Sequence, residues 1–399
     1  MKTRILWIFL VFIVVLSIFS LIITLNNEER KNPPVELPKG ILVSELPENA
    51  DILFVSMRYI LNDLDCLDEN YEIKQNFLND PDCIKKIYNA ESNVLSSPRQ
   101  LYALNIETDE VIQLTNIECD FSSVKPIDST KIMTIGACSD TDGDGVLSTN
   151  DEVNLFLIHL DEKVVECLTR GLNLTSINNP DYSNVNQKIL FSAQNIGVFH
   201  NYLFTLDLDN NLEQITNNED YMDFDCSWSE DGTKIVFSRL PKQDYPWLIP
   251  SQIWIMDPDG TNQIKITNGG SNPDNEEPHG PYPIGIDVDP DLSPDNTKIV
   301  FSRLKTGKEN VPFGVYKLII MDIETGEEMI LDSSYANMIP EWKAQGIVFI
   351  RQVGSSTSIM GRKQSMYIYK DGKFTDLEPE PYHVFPIGSN GASWINMKE

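Results

Sequence analysis

Basic residues are scarce in this chain. Its 399 residues hold 31 Lys and Arg against 60 Asp and Glu, a formal charge of −29. Such a surface repels a phosphate backbone, which argues against nucleic acid as a partner. Histidine is scarcer still: the four, His159, His200, His279 and His383, share no metal-ligand spacing, so a histidine-bound catalytic metal is not expected. There is no nucleophile elbow, no phosphate loop and no zinc-binding helix motif. Past Asp51, outside one polar insertion, no long apolar run of helical period occurs. With 41% hydrophobic residues, the chain nevertheless has ample material for a large core, and wholesale disorder is excluded.

The one long hydrophobic run is Ile5 to Leu25, whose only polar members are Ser17, Ser20 and Thr24. Some 20 apolar residues in a helix rising about 1.5 Å each can cross a bilayer. Lys2 and Arg4 precede the run, and Glu28, Glu29, Arg30 and Lys31 follow it without net positive charge. The positive-inside rule therefore keeps the N-terminus in the cytoplasm and sends the remainder across. A cleaved signal peptide is the alternative; its apolar core is usually shorter and ends at a small-x-small site, which Leu21–Asn27 does not offer. Residues 1–27 are thus read as a transmembrane signal anchor and 28–50 as a linker, with the Pro-containing NPPVELPKG (Asn32–Gly40) as a stiff spacer. The expected address is the cell membrane, single-pass, with the bulk of the chain extracytoplasmic.

Residues 51–399 repeat one pattern. A β-rich run recurs as ILFVS from Ile52, IMTIG from Ile132, ILFSA from Ile189, IVFSR from Ile235, IVFSR from Ile299 and IVFIR from Ile347. Each is followed by a second: LYALNI at Leu101, LFLIHL at Leu155, LFTLDL at Leu203, IWIMD at Ile253, LIIMD at Leu318 and YIYKD at Tyr367. A third, shorter run closes most units, often on an apolar residue plus Thr, as in Leu114-Thr115, Leu168-Thr169, Ile215-Thr216 and Ile266-Thr267. A further strand precedes most units, such as DFDCSW up to Trp228. Asp/Asn/Gly turns such as SEDGTK at Ser229 and DPDGTN at Asp257 join the runs. Six repeats of an a–b–c–d antiparallel unit, each about 60 residues long, predict an all-β, six-bladed β-propeller. The first unit lacks an a strand, while a spare run, Gly391–Ile395, follows the last. The C-terminal strand is therefore expected to close the ring and remove its open sheet edges.

The run Trp228–Ser238 (WSEDGTKIVFS), with DPDGTN and IKIT downstream, resembles the TolB-like six-bladed β-propeller family. The resemblance spans roughly 50–399 and is clearest in blades four and five; the Trp-Ser-Pro-Asp-Gly pattern is eroded in blades one and six. It implies a fold rather than an activity, since members range from binding scaffolds to accessory domains of hydrolases.

The most specific motif lies within an insertion at 139–152. Asp140, Asp142 and Asp144 stand at positions 1, 3 and 5 of a calcium loop, Gly145 at 6 and Asp151 at 12. Val146 would add its carbonyl and Ser148 its hydroxyl, directly or through water. Asp at position 12 reaches less far than Glu, and Glu152 is its alternate. The flanks read as strands, so a structural Ca²⁺ bound in a hairpin is expected, not a helix–loop–helix sensor. An oxidising address also permits disulfides. Cys66 with Cys83 would staple an insertion in blade one, by about 3 kcal/mol, and Cys119 with Cys138 would face each other across the a–b turn of blade two. Cys167 and Cys226 read as small buried hydrophobes.

In such a blade the b–c and d–a connections share one face. Most long insertions fall there, making it the expected binding face. Its candidate contacts are Trp247, His279, Tyr282, Phe313, Tyr382 and His383, with Asp223, Asp225, Asp287 and Asp289 at the starts of two a strands; these aspartates either ring the channel mouth, where they would hold a cation or basic ligand, or serve turns. The sequence thus supports a membrane-tethered, calcium-stabilised module binding a protein or glycan. The alternative is a carbohydrate- or lactone-active enzyme using acidic residues at the channel mouth.

Overall fold

The structure, a computed structural model, describes residues 46–56, 98–143, 147–241, 251–269, 286–305, 315–353, 363–377 and 392–395, apart from 48, 149 and 334, together with a two-residue strand at 35–36. The anchor run Ile5–Leu25 lies outside these residues. Among the described residues, no helix is long and apolar enough to cross a membrane.

Six antiparallel sheets of the expected kind follow one another along the chain. Blade two is built on Lys131–Ala137, Val153–His159 and Val164–Cys167, with an inner strand broken into Asp120–Phe121 and Lys125–Pro126. Blade three is Leu174–Ser183, Lys188–Asn195, Asn201–Asp207 and Leu212–Gln214. Blade four is Tyr221–Trp228, Ile235–Pro241, Gln252–Met256 and Ile264–Lys265. Blade five is Asp287–Leu292, Lys298–Lys305, Val315–Asp322 and Glu328–Asp332; blade six is Ala336–Lys343, Gly346–Val353, Lys363–Lys370 and Lys373–Asp376. Blade one draws Ile52–Ser56, Gln100–Asn105 and Glu110–Gln113 from the start of the domain and Ala392–Trp394 from its end. Ile52 pairs with Trp394 and Phe54 with Ala392, so the ring is closed by the tail.

Burial explains the repeat. The b strands have a blade packed against each face, so they are apolar throughout rather than alternating. Ile52–Val55, Ile189–Phe191, Ile235–Phe237 and Ile347–Phe349 are all buried. Phe54, Phe191, Phe237, Phe301 and Phe349 occupy one equivalent position, and all are fully buried. The outer d strands meet water; Lys373–Asp376 is exposed along its whole length. The recurring apolar–Thr ending also has a cause. The Oγ1 of Thr115, Thr169, Thr216 and Thr267 accepts the amide of Leu101, Leu155, Leu203 and Ile253, at 2.9–3.0 Å, where the c strand begins. Each hydroxyl satisfies a buried donor for which the short d strand supplies no ladder partner.

The linker is more than a spacer. Val35 and Glu36 form a strand on the outer edge of blade two, pairing with Val165 and Val164.

Candidate functional site

The inner strands of blades three to six share an irregularity. Their pairing with the b strand slips between Asn178 and Asp181, Phe224 and Ser227, Val288 and Asp291, and Met338 and Glu341. At each slip one residue has positive φ: Asn179, Asp225, Asp289 and Ile339, at 49°, 46°, 51° and 56°. These are β-bulges, which re-aim side chains. Pro180, Pro290 and Pro340 follow directly in three of the four, lacking an N–H that a ladder would use.

The bulges decide where the predicted aspartates go. Asp223 and Asp287, just before them, turn into the blade. Asp223 takes Arg239 at 2.6 and 2.9 Å, and Asp287 takes Arg303 at 2.5 and 3.0 Å. Both carboxylates are buried, and Arg239 also lies over the Tyr221, Phe237 and Trp254 rings. These pairs hold strand a to strand b. Asp225 and Asp289, on the bulges, line the central channel instead. They adjoin: the Asp289 amide lies 3.5 Å from Asp225 Oδ2, and Asp289 Oδ2 accepts the Ile339 amide at 3.2 Å. Burial pushes the Asp289 carboxyl up to about 6. Burial and the neighbouring Asp289 charge hold Asp225 well above the ordinary carboxylate range. Asn179 stands beside them with a buried amide oxygen that no hydrogen bond satisfies among the described residues.

One step further along the channel lies a ring that the sequence reading missed. The residues opposite Leu53, Met133, Leu190, Val236, Val300 and Val348 are Ser393, Lys125, Asp181, Ser227, Asp291 and Glu341, one per blade. They form a circuit. Lys125 Nζ lies 2.6 Å from Glu341 and 3.9 Å from Asp181. The Ser227 hydroxyl lies 3.2 Å from Asp181 and 2.7 Å from Asp291. Ser393 donates to Glu341 at 3.1 Å. The amides of Trp228 and Trp342 cap Asp181 and Asp291 at 2.7 and 2.6 Å. Burial raises Asp291 to about 6, against the pull of Lys343 and Lys125. Burial also opposes the Lys343 charge, but Asp291, Glu341 and Asp181 outweigh it and hold the ammonium above its usual range. The ring therefore plugs the channel. A cavity of about 30 Å³ remains on the Asp225–Asp289 side, and one of about 100 Å³, lined by Asp128, Glu230 and Lys343, on the other. Each ring residue stands one place before Trp228, Trp342, Trp394 or their counterparts, so a stacked alignment of the six repeats is the signal that reveals it.

In blade two the predicted calcium loop brings Asp140, Asp142 and Asp151 together, with ligand atoms within 4.8 Å of one another. Two oxygens on opposite sides of a Ca²⁺ sit about that far apart, at twice a Ca–O bond of about 2.4 Å. The loop's frame is Asp151. Its Oδ1 accepts the Thr141 amide at 2.6 Å and its Oδ2 the Ser148 amide at 2.9 Å, and these backbone bonds hold its carboxyl below the usual range. Asp140 caps Gly143 at 2.7 Å. Asp144, Gly145 and Val146 lie outside the described residues, while the Ser148 hydroxyl accepts the Asn150 amide at 3.1 Å.

Cys119 and Cys138 form a disulfide at the root of this hairpin, one step beyond the Asp120–Ala137 pair. Cys167 and Cys226 are buried thiols in two separate cores. Cys66 and Cys83 fall outside the described residues, as do Trp247, His279, Tyr282, Phe313, Tyr382 and His383. Of the remaining histidines, His159 Nε2 lies 3.5 Å from Glu166 and His200 Nε2 3.0 Å from the Asn218 carbonyl, both ordinary packing roles.

No family model matches the chain, and no curated protein matches it. Solved structures do. The chain is similar to TolB from Acinetobacter baumannii, with a TM-score of 0.54 at 15% identity over 88% of this chain and 68% of that one. It is similar also to a TolB structure from Agrobacterium tumefaciens, with a TM-score of 0.51 at 16% identity over 74% of this chain and 97% of that one. The fold is that of a TolB-like six-bladed propeller. At these identities the likeness is one of architecture, and within that TolB-like frame the channel chemistry above is read from this chain's own residues.

Proposed function

We propose that the chain is a membrane-tethered, extracytoplasmic binding module that receives a protein or glycan partner at the b–c/d–a face of the propeller. One observation carries this reading: on that side of the plugged channel, Asp225, Asp289 and the unsatisfied Asn179 oxygen form an acidic layer. Such a layer favours a cationic group, of which a Lys or Arg side chain on a protein is the commonest source. The ring beneath forbids passage and gives the ligand a floor. The test is capture from native envelope membranes by the full chain. Wild type is expected to retain a partner that Asp225→Asn/Asp289→Asn loses; equal retention by both would remove the channel from the account.

Calcium supports this role as a staple. The preformed Asp140–Asp142–Asp151 geometry suits Ca²⁺, and a site of about 10⁻⁴ M affinity stays filled at extracellular calcium levels. Terbium luminescence sensitised in the full chain, and its loss in Asp142→Asn, checks the assignment.

A catalytic reading has one point in its favour, the adjacency of Asp225 and Asp289, whose carboxyls are both raised above the ordinary range. A glycosidase-type site also needs an acid and a base about 5–10 Å apart in an open cleft. Here the cavity beside Asp225 and Asp289 has no aromatic side chain among its described lining residues, and its other carboxylates are committed to Lys125, Ser227 and backbone amides. Turnover of a polysaccharide or lactone that Asp289→Asn abolishes would reverse this ranking.

A further inference from the structure

The most exposed large apolar side chain among the described residues is Phe199, at 91%, and Ile196 and Val198 beside it are 65% and 43% exposed. All three stand on the b–c turn of blade three, Asn195–Asn201, on the loop-rich face. The turn is firmly built. The Val198 amide donates to the Asn195 carbonyl at 2.9 Å, the Ile196 amide to Asn173 at 3.0 Å, and Gly197 supplies the left-handed residue with φ 81°. Behind it, buried His200 packs at a tilt against Tyr202, ring centroids 4.5 Å apart, and is held by Asn218, so the tip is presented by a fixed root. Single exposed apolar residues are common; three on one rigid, uncharged turn are not.

Two further observations say what covers it. The first is charge. In a chain of net charge −29, the stretch from Cys167 to Leu206 contains a single acid, Asp181, which is turned into the channel; exposed Arg170 stands on the neighbouring d–a connection. The turn itself carries no charge, so it can meet an anionic surface without repulsion of its own. The second is the direction of the linker. Val35 pairs antiparallel with Val165 and Glu36 with Val164, on a strand that runs toward the d–a connection. Followed backwards, the chain therefore leaves blade two on the loop-rich face, the same face as the Phe199 turn and one blade away. The stretch from Leu25, where the apolar run ends, to Val35 can span at most about 35 Å.

We propose that the Ile196–Phe199 tip seats in the lipid interface of the bilayer that carries the anchor, so that the propeller stands on the rim of blade three. The inference rests on the anchor reading above. An apolar tip with an aromatic residue and a flanking Arg matches the membrane interface, where aromatic side chains bury an apolar body at headgroup level and Arg meets lipid phosphate. The tether holds the turn near the surface, so insertion is nearly intramolecular and needs little intrinsic affinity. Blades four to six then keep their share of the loop-rich face tilted away from lipid and open to a partner.

The experiment uses the full chain reconstituted in vesicles of zwitterionic and anionic lipid, with and without brominated acyl chains, comparing Phe199→Trp with Glu324→Trp on the opposite face. The emission added by Phe199→Trp is expected to be blue-shifted and to fall at least two-fold on brominated lipid, while that of Glu324→Trp does neither. Solvent-like, unquenched Phe199→Trp emission from chain that resists carbonate washing would overturn the proposal, leave the anchor standing and point to a protein occupant. Quenching of both variants would overturn the orientation. Release of the chain by carbonate would overturn the anchor itself and, with it, this inference.

Discussion

At the scale of single residues, the channel trades stability for chemistry. Asp289 has its carboxyl raised to about 6 in the fold against about 3.9 in an unfolded chain. Its contribution is thus fully present below about pH 4 and is lost as pH rises through about 6. Asparagine stays neutral throughout and can still accept the Ile339 amide. Asp289→Asn should therefore stabilise the protein at pH 7.5 by on the order of 1–3 kcal/mol and confer little below pH 4, as read by chemical denaturation at both pH values. Gly260 is a residue of the opposite kind. Its φ is 81°, and a Cβ there would stand 2.1 Å from the Ile215 carbonyl oxygen of the neighbouring blade. Gly260→Ala should cost about 2 kcal/mol or more, since strain and a backbone clash add. The sequence marks Gly260 only as a turn residue in DPDGTN; its closeness to blade three emerges once the blades are packed.

At the scale of elements, the blade-two hairpin is fastened twice, by the Cys119–Cys138 bridge at its root and by Asp151 at its loop. Replacing both cysteines with serine opens a 19-residue separation and should cost about 3 kcal/mol in thermal or denaturant unfolding. Chelating calcium is expected to lower the melting temperature by about 2 °C, since a site of about 10⁻⁴ M at millimolar calcium adds about 1.5 kcal/mol. Asp142→Asn should already melt at that lower temperature and be indifferent to chelator. The strands, the gathering of acids in this loop and the bridge could be read from spacing, because β runs, alternating acids and cross-strand cysteines are local patterns. The channel was less legible. Regular alternation puts Asp223, Asp225, Asp287 and Asp289 on one side; the bulges separate them, sending one of each pair to an arginine and the other to the channel. Nothing local in DFD or DVD announces a bulge. The ring of Ser393, Lys125, Asp181, Ser227, Asp291 and Glu341 is invisible for another reason. Its members lie in six repeats, differ in chemistry, and become one feature only when the circle closes.

At the scale of the molecule, closure depends on three residues. Trp394 is 4% exposed, sits in the core shared by blades one and six, and donates its indole N–H to the Gly346 carbonyl at 3.2 Å. Trp394→Ala should cost about 3–5 kcal/mol. Deletion of 392–399 should do more, exposing the edge of Ile52–Ser56, which would show as concentration-dependent association by light scattering.

The position of that closing strand also sets an order of events in biogenesis. Ile52 is among the first residues of the domain to be made, and its partner Trp394 nearly the last. Blades two to six can collapse as they emerge, but the first sheet must wait with a bare margin until Ala392–Trp394 has been made. Any stall, premature stop or C-terminal clipping therefore leaves a nearly finished wheel with a sticky seam, which is the form that quality-control proteases would be expected to recognise.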